Sequence, residues 1–279
     1  LRGGEADKDE EYVRSFCRSM NVECICERAD CKKIAKENSE GLEECGRRLR
    51  YEMFDRIASR YSGAKIATAH NADDNFETIL LNITRGTSIK GVCGIPPVRG
   101  NIIRPLIECS RREIEEYCVE NGLEYVTDSS NLSNDYSRNV IRNKVIPVLT
   151  AINPNAVYAA SRLSRLTLDD EEYLENRCTQ LYKRAQTGRY TFDSGILTKE
   201  PLPIRSRLYI KVYEEMTGER LSDSDKISET EKVLSAGGKV ELHKNLFVRL
   251  KDGMLIFYKE DPADVFPVNQ KEIELSGFE

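Results

Sequence analysis

The sequence has no long apolar run, and none approaches the roughly 20 residues that a transmembrane helix needs. We therefore expect no membrane-spanning segment. The motif Cys-x-x-Cys is also missing from a chain of 279 residues with nine cysteines, which counts against enzymes that hold a cluster or relay sulfur through a cysteine pair. The cysteines are odd in number and scattered, and several occupy apolar positions where a thiol acts as a small hydrophobic group. This usage predicts a cytoplasmic protein, because that compartment is reducing.

The composition is that of a globular protein with an uneven distribution of charge. Apolar residues make up 39% and charged residues 32% of the chain, and the net charge of −5 argues mildly against a nucleic-acid partner. However, residues 136–168 contain five basic residues and no acid, and residues 99–112 contain four arginines against one glutamate. A negative total can therefore coexist with a basic surface that attracts phosphates.

Three carboxylates follow a short apolar run at residues 65–69. They are Asp73, Asp74 and Glu77, and apolar residues then recur at helical spacing. The pattern predicts a strand followed by a helix, with Asp74 and Glu77 on one face of its first turn. Open α/β sheets bind ligands at the carboxyl ends of their strands. The alternative is structural, since acids in a first turn stabilise a helix by roughly 0.3–1 kcal/mol each.

A polar segment at residues 128–137 leads into a second predicted helix. It is rich in Asp, Asn and Ser, and the helix that follows carries Arg138 and Arg142 four positions apart on one face. The two arginines are candidates for phosphate contacts. Pairing with Asp128 or Asp135 on a solvated face is the structural alternative.

Strands and helices alternate in the first half of the chain, which predicts an α/β fold with a parallel sheet. The second half predicts helices followed by a small antiparallel meander with an Asp252-Gly253 turn, and hence a smaller α+β domain. The predicted domains are a nucleotide-binding domain at 1–150, an α+β substrate domain at 151–262, and a tail or the start of a C-terminal domain at 263–279. The helices predicted in the first domain are 7–20, 42–61, 73–84 and 111–121, and the strands are 22–26, 65–69 and 102–105.

The ordered series of motifs resembles the tRNA(Ile)-lysidine synthase family, an N-type ATP pyrophosphatase family of the PP-loop superfamily with an adenine nucleotide alpha hydrolase-like fold. The family shows A-H-x-x-D-D-x-x-E-T, R-G, G-I-x-P, R-P-L, D-x-[ST]-N, R-N-x-[IL]-R and Pro-x-Leu in this order. The corresponding positions here are Ala69-His70, Asp73-Asp74, Glu77-Thr78, Arg85-Gly86, Gly94-Ile95-Pro96, Arg104-Pro105-Leu106, Asp128 to Asn131, Arg138-Asn139, Arg142 and Pro147 to Leu149.

The resemblance implies an ATP-dependent ligase. Such an enzyme adenylates a cytidine in the CAU anticodon of isoleucine tRNA, and the side-chain amine of L-lysine then displaces AMP to give lysidine. Mg2+ would bridge the ATP phosphates and be held mostly by them, so no metal-ligand set of protein residues is expected. A homodimer is a further expectation.

The family motifs also imply roles for individual residues. Asp74 and Glu77 would bind the lysine ammonium and, with Arg85, act in catalysis. The nucleotide site would include His70, Asp73, Arg85 and Gly86. Contacts to tRNA are expected from Arg104, Arg111, Asn131, Arg138, Asn139 and Arg142.

One departure from the family is large: the sequence contains no S-G-G-x-D-S phosphate loop. We expect the natural protein to have about 40–60 further residues before Leu1, at typical element lengths, that supply this loop. Two other functions stay open at this point. One is tRNA cytidine thiolation, against which the missing Cys-x-x-Cys counts, and the other is a non-catalytic tRNA-binding protein that has lost the loop.

Overall fold

The computed structural model describes residues 4–125, 137–219, 221 and 224–260. The chain forms two compact units, Leu1–Leu168 and Asp169–Glu279, and the boundary falls within the long helix Ala156–Ala185. The domain boundary at residue 150 stays a prediction. The predicted tail at 263–279 lies outside the described residues.

Helices make up most of the described part of the first unit. The predicted helices are confirmed at four places, whereas the predicted strand at 22–26 is wrong, because that segment pairs with no other described strand. The helices are α1 (Gly4–Ser19), α2 (Cys31–Glu37), α3 (Leu42–Ala58), α4 (Ala72–Thr84), α5 (Ile89–Val92), α6 (Arg111–Glu120), α7 (Ser137–Val140), α8 (Ile146–Ile152) and the start of α9 (Ala156–Ala185). A π-helical turn, Ile141–Val145, joins α7 to α8.

The sheet of the first unit has the strand order β1–β3–β2, formed by β1 (Ile66–Ala67), β2 (Val98–Arg99) and β3 (Ile102–Ile103). Strand β1 runs parallel to β3, with Ile66 opposite Ile102, and β2 pairs with β3 in the antiparallel sense. The predicted α/β class is confirmed, with a parallel pair at its centre. Because β1 and β3 are parallel, the segments that follow them leave the sheet at the same edge.

Helix α4 begins directly after this edge. Asn71 caps it, and the apolar side chains of Phe76 and Ile79 are buried against Val157 and Ala160 of α9. The cap fixes where the helix begins and the buried face fixes its rotation about its own axis. Together they determine where the polar first turn of α4 points.

The second unit contains a five-stranded antiparallel sheet, which confirms the predicted α+β class. Its strand order is β4–β5–β8–β7–β6, and the turn before β8 has positive φ at Asp252 and Gly253, as an Asp-Gly hairpin turn requires. A hydrophobic core that includes Phe192, Tyr209 and Phe257 packs this sheet against helices. The elements are the end of α9, β4 (Gln186–Gly188), β5 (Thr191–Asp193), α10 (Ser194–Leu197), α11 (Leu202–Thr217), α12 (Ser224–Ala236), β6 (Lys239–His243), β7 (Leu246–Lys251) and β8 (Met254–Lys259).

Among the helices that the structure describes, none is both long enough and apolar enough to cross a membrane.

Candidate nucleotide and amine site

The first turn of α4 is held by a reciprocal cap. The Asp74 backbone N–H donates to Asn71 Oδ1 at 2.9 Å, and the Asn71 backbone N–H donates to Asp74 Oδ2 at 3.1 Å. This capping box satisfies two backbone donors that a helix start would otherwise leave unpaired. It also fixes the Asp74 carboxylate in place, with its second oxygen, Oδ1, directed to a different partner.

That partner is Arg142, in the π-helical turn after α7. Arg142 Nη2 lies 3.3 Å from Asp74 Oδ1, and its guanidinium also grips Glu77 with two parallel bonds, Nε to Oε1 at 2.5 Å and Nη2 to Oε2 at 2.9 Å. A bidentate arginine–carboxylate pair is among the stronger hydrogen-bonded arrangements in proteins. The predicted face with Asp74 and Glu77 therefore exists, and one arginine from 65 residues further along the chain spans both acids.

Burial controls the protonation of this pair. The Glu77 side chain is 1% exposed and that of Arg142 is 21% exposed. Burial raises the pKa of Glu77, and the hydrogen bond from Arg142 opposes that rise only in part. Burial disfavours the charged form of Arg142, but the hydrogen bond to Glu77 together with the negative charges of Glu77, Asp74 and Asp73 outweighs burial, so the pKa of Arg142 is raised.

A second arginine reaches the same turn of α4. Arg138 Nη2 donates to Thr78 Oγ1 at 3.1 Å, and its Nε lies 3.7 Å from Glu77 Oε2, beyond hydrogen-bonding distance. The Nε atom is buried and has no hydrogen-bond partner among the described residues. Because Arg138 and Arg142 are four residues apart, the predicted shared face is confirmed, and it points at α4.

His70 lies between the end of β1 and the cap of α4. Its Nδ1 is 2.9 Å from Thr68 Oγ1. Burial lowers the pKa of His70; Asp74 opposes the shift, and the charges of Arg104, Arg47 and Arg138 add to it. The neutral ring therefore dominates near neutral pH.

Arg104 follows β3 at the same edge of the sheet. It is 6% exposed, its Nη1 donates to the Pro96 carbonyl at 2.6 Å, and its Nε has no hydrogen-bond partner among the described residues. No carboxylate of the described residues pairs with Arg104, and a buried guanidinium in that situation is costly. Its position near His70 favours an anionic ligand at this edge.

Asp73 points away from Asp74 toward α6. Its Oδ2 accepts the backbone N–H of Arg111, the first residue of that helix, at 2.7 Å. A carboxylate at a helix N-terminus is favourable because of the helix dipole. In this structure Asp73 therefore ties α4 to α6, and Arg111 takes part through its backbone.

An open cavity of about 400 Å3 adjoins these groups. Asp74, His70 and Arg138 line one side of it, and the residues after β1 form its floor. Helix α3 supplies the remaining wall, which the sequence analysis missed. That wall consists of Arg47, Arg50, Tyr51 and Phe54.

The structure does not bring every predicted residue to this place. Arg85 and Gly86 are exposed at the C-terminal end of α4, about 16 Å from Asp74 at a rise of 1.5 Å per residue. Asn139 lies in α7 between the two arginines, and Asn131 lies outside the described residues. Among the residues that the structure describes, no group of three or more His, Cys, Asp or Glu side chains could hold a metal ion.

Residues 1–149 match the family model of the PP-loop domain. The chain is 44% identical over 185 residues to a tRNA(Ile)-lysidine synthase of Clostridium acetobutylicum, covering 66% of this chain and 40% of the relative. It is 37% identical over 223 residues to one of Caldanaerobacter subterraneus subsp. tengcongensis, covering 78% and 48%, and 41% identical over 186 residues to one of Clostridium perfringens, covering 66% and 40%. The chain thus spans less than half the length of these curated relatives. Residues 1–149, which match the family model, contain α3, α4, the carboxyl ends of β1 and β3, Arg138 and Arg142. The chain belongs to the PP-loop domain family.

Proposed function

We propose that this chain is part of an ATP-dependent ligase that attaches lysine to an anticodon cytidine of isoleucine tRNA through an adenylated intermediate. One observation carries the proposal. The segment that is similar to tRNA(Ile)-lysidine synthases is the segment that brings two carboxylates, a histidine and two arginines to one edge of a parallel strand pair. Ligands bind at such edges in α/β proteins.

The acids are suited to bind an amine, and the structure supports different roles for the two. Asp74 lines the cavity, so we assign it the direct contact with the lysine ammonium and a part in removing its proton before attack. Glu77 is almost fully buried and bonded to Arg142, so we assign it to positioning that arginine. This narrows the role expected for Glu77 from the sequence.

The cavity fits the phosphates of a nucleotide. Three arginines line it against one carboxylate, and one of them is Arg138, whose Nε has no hydrogen-bond partner in the described part of the chain. We propose that ATP binds here with Arg138 and His70 at its phosphates and that bound Mg2+ would neutralise phosphate charge. The nucleotide roles expected for Arg85, Gly86 and Asp73 stay predictions that the position of these residues does not favour.

Contacts to tRNA are proposed for the basic residues around the edge. Arg138 is 36% exposed, so a phosphate can approach it from solvent, whereas the contacts to tRNA proposed for Arg104 and Arg111 rest on the resemblance. The CAU anticodon, Asn131, Asn139 and a homodimer are proposals that rest on the resemblance, and a cytoplasmic location is a proposal that rests on the cysteine usage.

The test uses the complete protein that carries this sequence, with ATP, labelled lysine and a tRNA(Ile) transcript. We expect lysine to enter the tRNA only with ATP, with AMP as co-product, and mass spectrometry of the target nucleoside should give lysidine. Asp74→Asn should raise the KM for lysine at least tenfold, equivalent to about 1.4 kcal/mol. The control Asp55→Asn changes an exposed acid on α3 and should leave that KM unchanged. A thiolated nucleoside, or no modification at all, would refute the proposal.

A further inference from the structure

One face of α3 carries alternating cationic and aromatic side chains. Arg47, Arg50, Tyr51 and Phe54 follow the spacing i, i+3, i+4, i+7, which places them on the same side of a helix. All four line the cavity beside His70, Asp74 and Arg138. A different side of α3 is turned inward, where Cys45 is fully buried.

The side chains of this face are close to one another. The Arg47 guanidinium carbon lies 5.5 Å from the centre of the Tyr51 ring. The Tyr51 and Phe54 rings are 6.0 Å apart and nearly perpendicular, at 75°. Both rings are half-buried, while Arg47 and Arg50 are exposed. The face therefore offers two aromatic rings, set edge to face, beside two exposed positive charges.

The combination of aromatic rings with positive charges favours a nucleotide over other small ligands. Proteins that bind unpaired nucleotides stack the base on an aromatic ring and neutralise the phosphate with arginine. Lysine has no planar ring to stack on the aromatic side chains, and a free sugar has no anionic group for the arginines to neutralise. Surface arginines on helices are often only solvated, but here the arginines share a concave surface with the groups of the candidate site.

We propose that the α3 face is a nucleotide-binding wall, on which Tyr51 and Phe54 hold a base and Arg47 and Arg50 hold its phosphate. The inference rests on the proposed function and deepens it, because that function has two nucleotide sources, ATP and the target nucleotide of the RNA. Nothing in the α4 motifs distinguishes these sources. The binding measurements below do so.

The experiment measures dissociation constants of the complete protein for ATP alone and for a tRNA(Ile) transcript alone. Tyr51→Leu should weaken binding of the nucleotide that stacks on the ring by roughly 5- to 150-fold, equivalent to about 1–3 kcal/mol, whereas Tyr51→Phe should keep the wild-type value. Arg50→Gln should weaken the same ligand and make its binding less dependent on salt. Arg60→Ala is the matched control, because Arg60 is exposed just beyond α3 and is not among the described residues that line the cavity.

The two binding measurements, with ATP and with the transcript, identify which nucleotide the α3 face binds. A loss confined to ATP assigns the wall to the adenylate, a loss confined to the transcript assigns it to the RNA, and a loss of both assigns both nucleotides to it. Unchanged dissociation constants for both ligands in Tyr51→Leu and in Arg50→Gln overturn the inference. Arg50 is a surface residue, so Arg50→Gln tests the wall even if Tyr51→Leu does not fold. If the wild type transfers no lysine, the proposed function fails, but the binding comparison still decides the role of this wall.

Discussion

Arg142 closes a bidentate ion pair on Glu77, with Nε–Oε1 and Nη2–Oε2 distances of 2.5 and 2.9 Å. The pair joins the π-helical turn at Ile141–Val145 to the second turn of α4. Single-turn π-bulges are frequent at functional sites. Here the turn directs a guanidinium at two acids that would otherwise repel each other.

Breaking the pair between Arg142 and Glu77 should lower the free energy of unfolding. Glu77→Gln replaces the buried charged pair by a neutral contact while Asp74 still lies 3.3 Å from Arg142, so we expect the free energy of unfolding to fall by about 1.5–3 kcal/mol. Arg142→Met should also destabilise the protein. Without the guanidinium the pKa of the buried Glu77 rises further. The loss relative to the wild type should therefore grow as the pH rises above the pKa that Glu77 has in the folded wild type, which is itself above its ordinary value.

A double-mutant cycle in urea measures the coupling of the pair. The combined variant should lose less free energy of unfolding than the sum of the two single losses, by about 0.5–3 kcal/mol. Arg60→Ala serves as the control, because Arg60 is exposed just beyond α3 and makes no ion pair with Glu77 in the described part of the chain. Strict additivity of Glu77→Gln and Arg142→Met would mean that the two side chains do not stabilise each other.

Arg138 should act on RNA more than on stability. Its side chain is 36% exposed, so a phosphate can reach it, and Arg138→Ala should reduce the slope of log affinity for tRNA against log salt by roughly one. Filter binding at several salt concentrations measures this slope. Arg60→Ala should leave the slope unchanged. An Arg138→Ala slope equal to that of the wild type would leave the contact with Thr78 as the role of this arginine.

Local patterns in the sequence were sufficient to predict much of the fold. The Ser110–Glu113 pattern predicts the capping box that begins α6, where the Ser110 backbone N–H donates to Glu113 Oε2 at 2.7 Å. The Asp252-Gly253 turn and the first turn of α4 were predicted for the same reason. Each depends on residues within a few positions of one another, and their conformational preferences act before any tertiary contact forms.

The site itself depended on contacts that no local pattern specifies. For Arg142 the sequence predicts a contact with RNA or pairing with Asp128 or Asp135, which lie outside the described residues. The pair with Glu77 was missed because the two residues are 65 positions apart in the chain. The α3 face was missed for a different reason. The apolar residues alone predict that helix, whereas Arg47, Arg50, Tyr51 and Phe54 at i, i+3, i+4 and i+7 form a pattern of their own.

His70 should make the folded state sensitive to acid. Burial lowers its pKa in the folded protein, so the unfolded state binds the proton more readily, and stability should be lost as the pH falls through about 6.5. His70→Asn keeps a polar group near Thr68 and does not titrate. The free energy of unfolding of the wild type minus that of this variant should fall below about pH 6.5, by at most about 1.4 kcal/mol per pH unit. A difference that stays constant between pH 5 and 8 would contradict the neutral, buried His70.

Replacement by alanine at two glycines of the first unit should change the stability of the protein in opposite directions. Gly94 has φ of +63°, and a Cβ there would lie 2.1 Å from Asn75 Oδ1, the atom that accepts the Ile95 backbone N–H at 2.7 Å. Gly94→Ala therefore combines backbone strain with the loss of a buried hydrogen bond, and we expect a cost of roughly 2–4 kcal/mol. Gly46 lies inside α3, and a Cβ there would meet no atom within 4 Å, so Gly46→Ala should stabilise the protein by about 0.5–1 kcal/mol. Urea unfolding of both variants beside the wild type measures the two effects. Because Asn75 fixes the loop that follows Gly94 against α4, a neutral Gly94→Ala would mean that this loop does not hold the helix of the site in place.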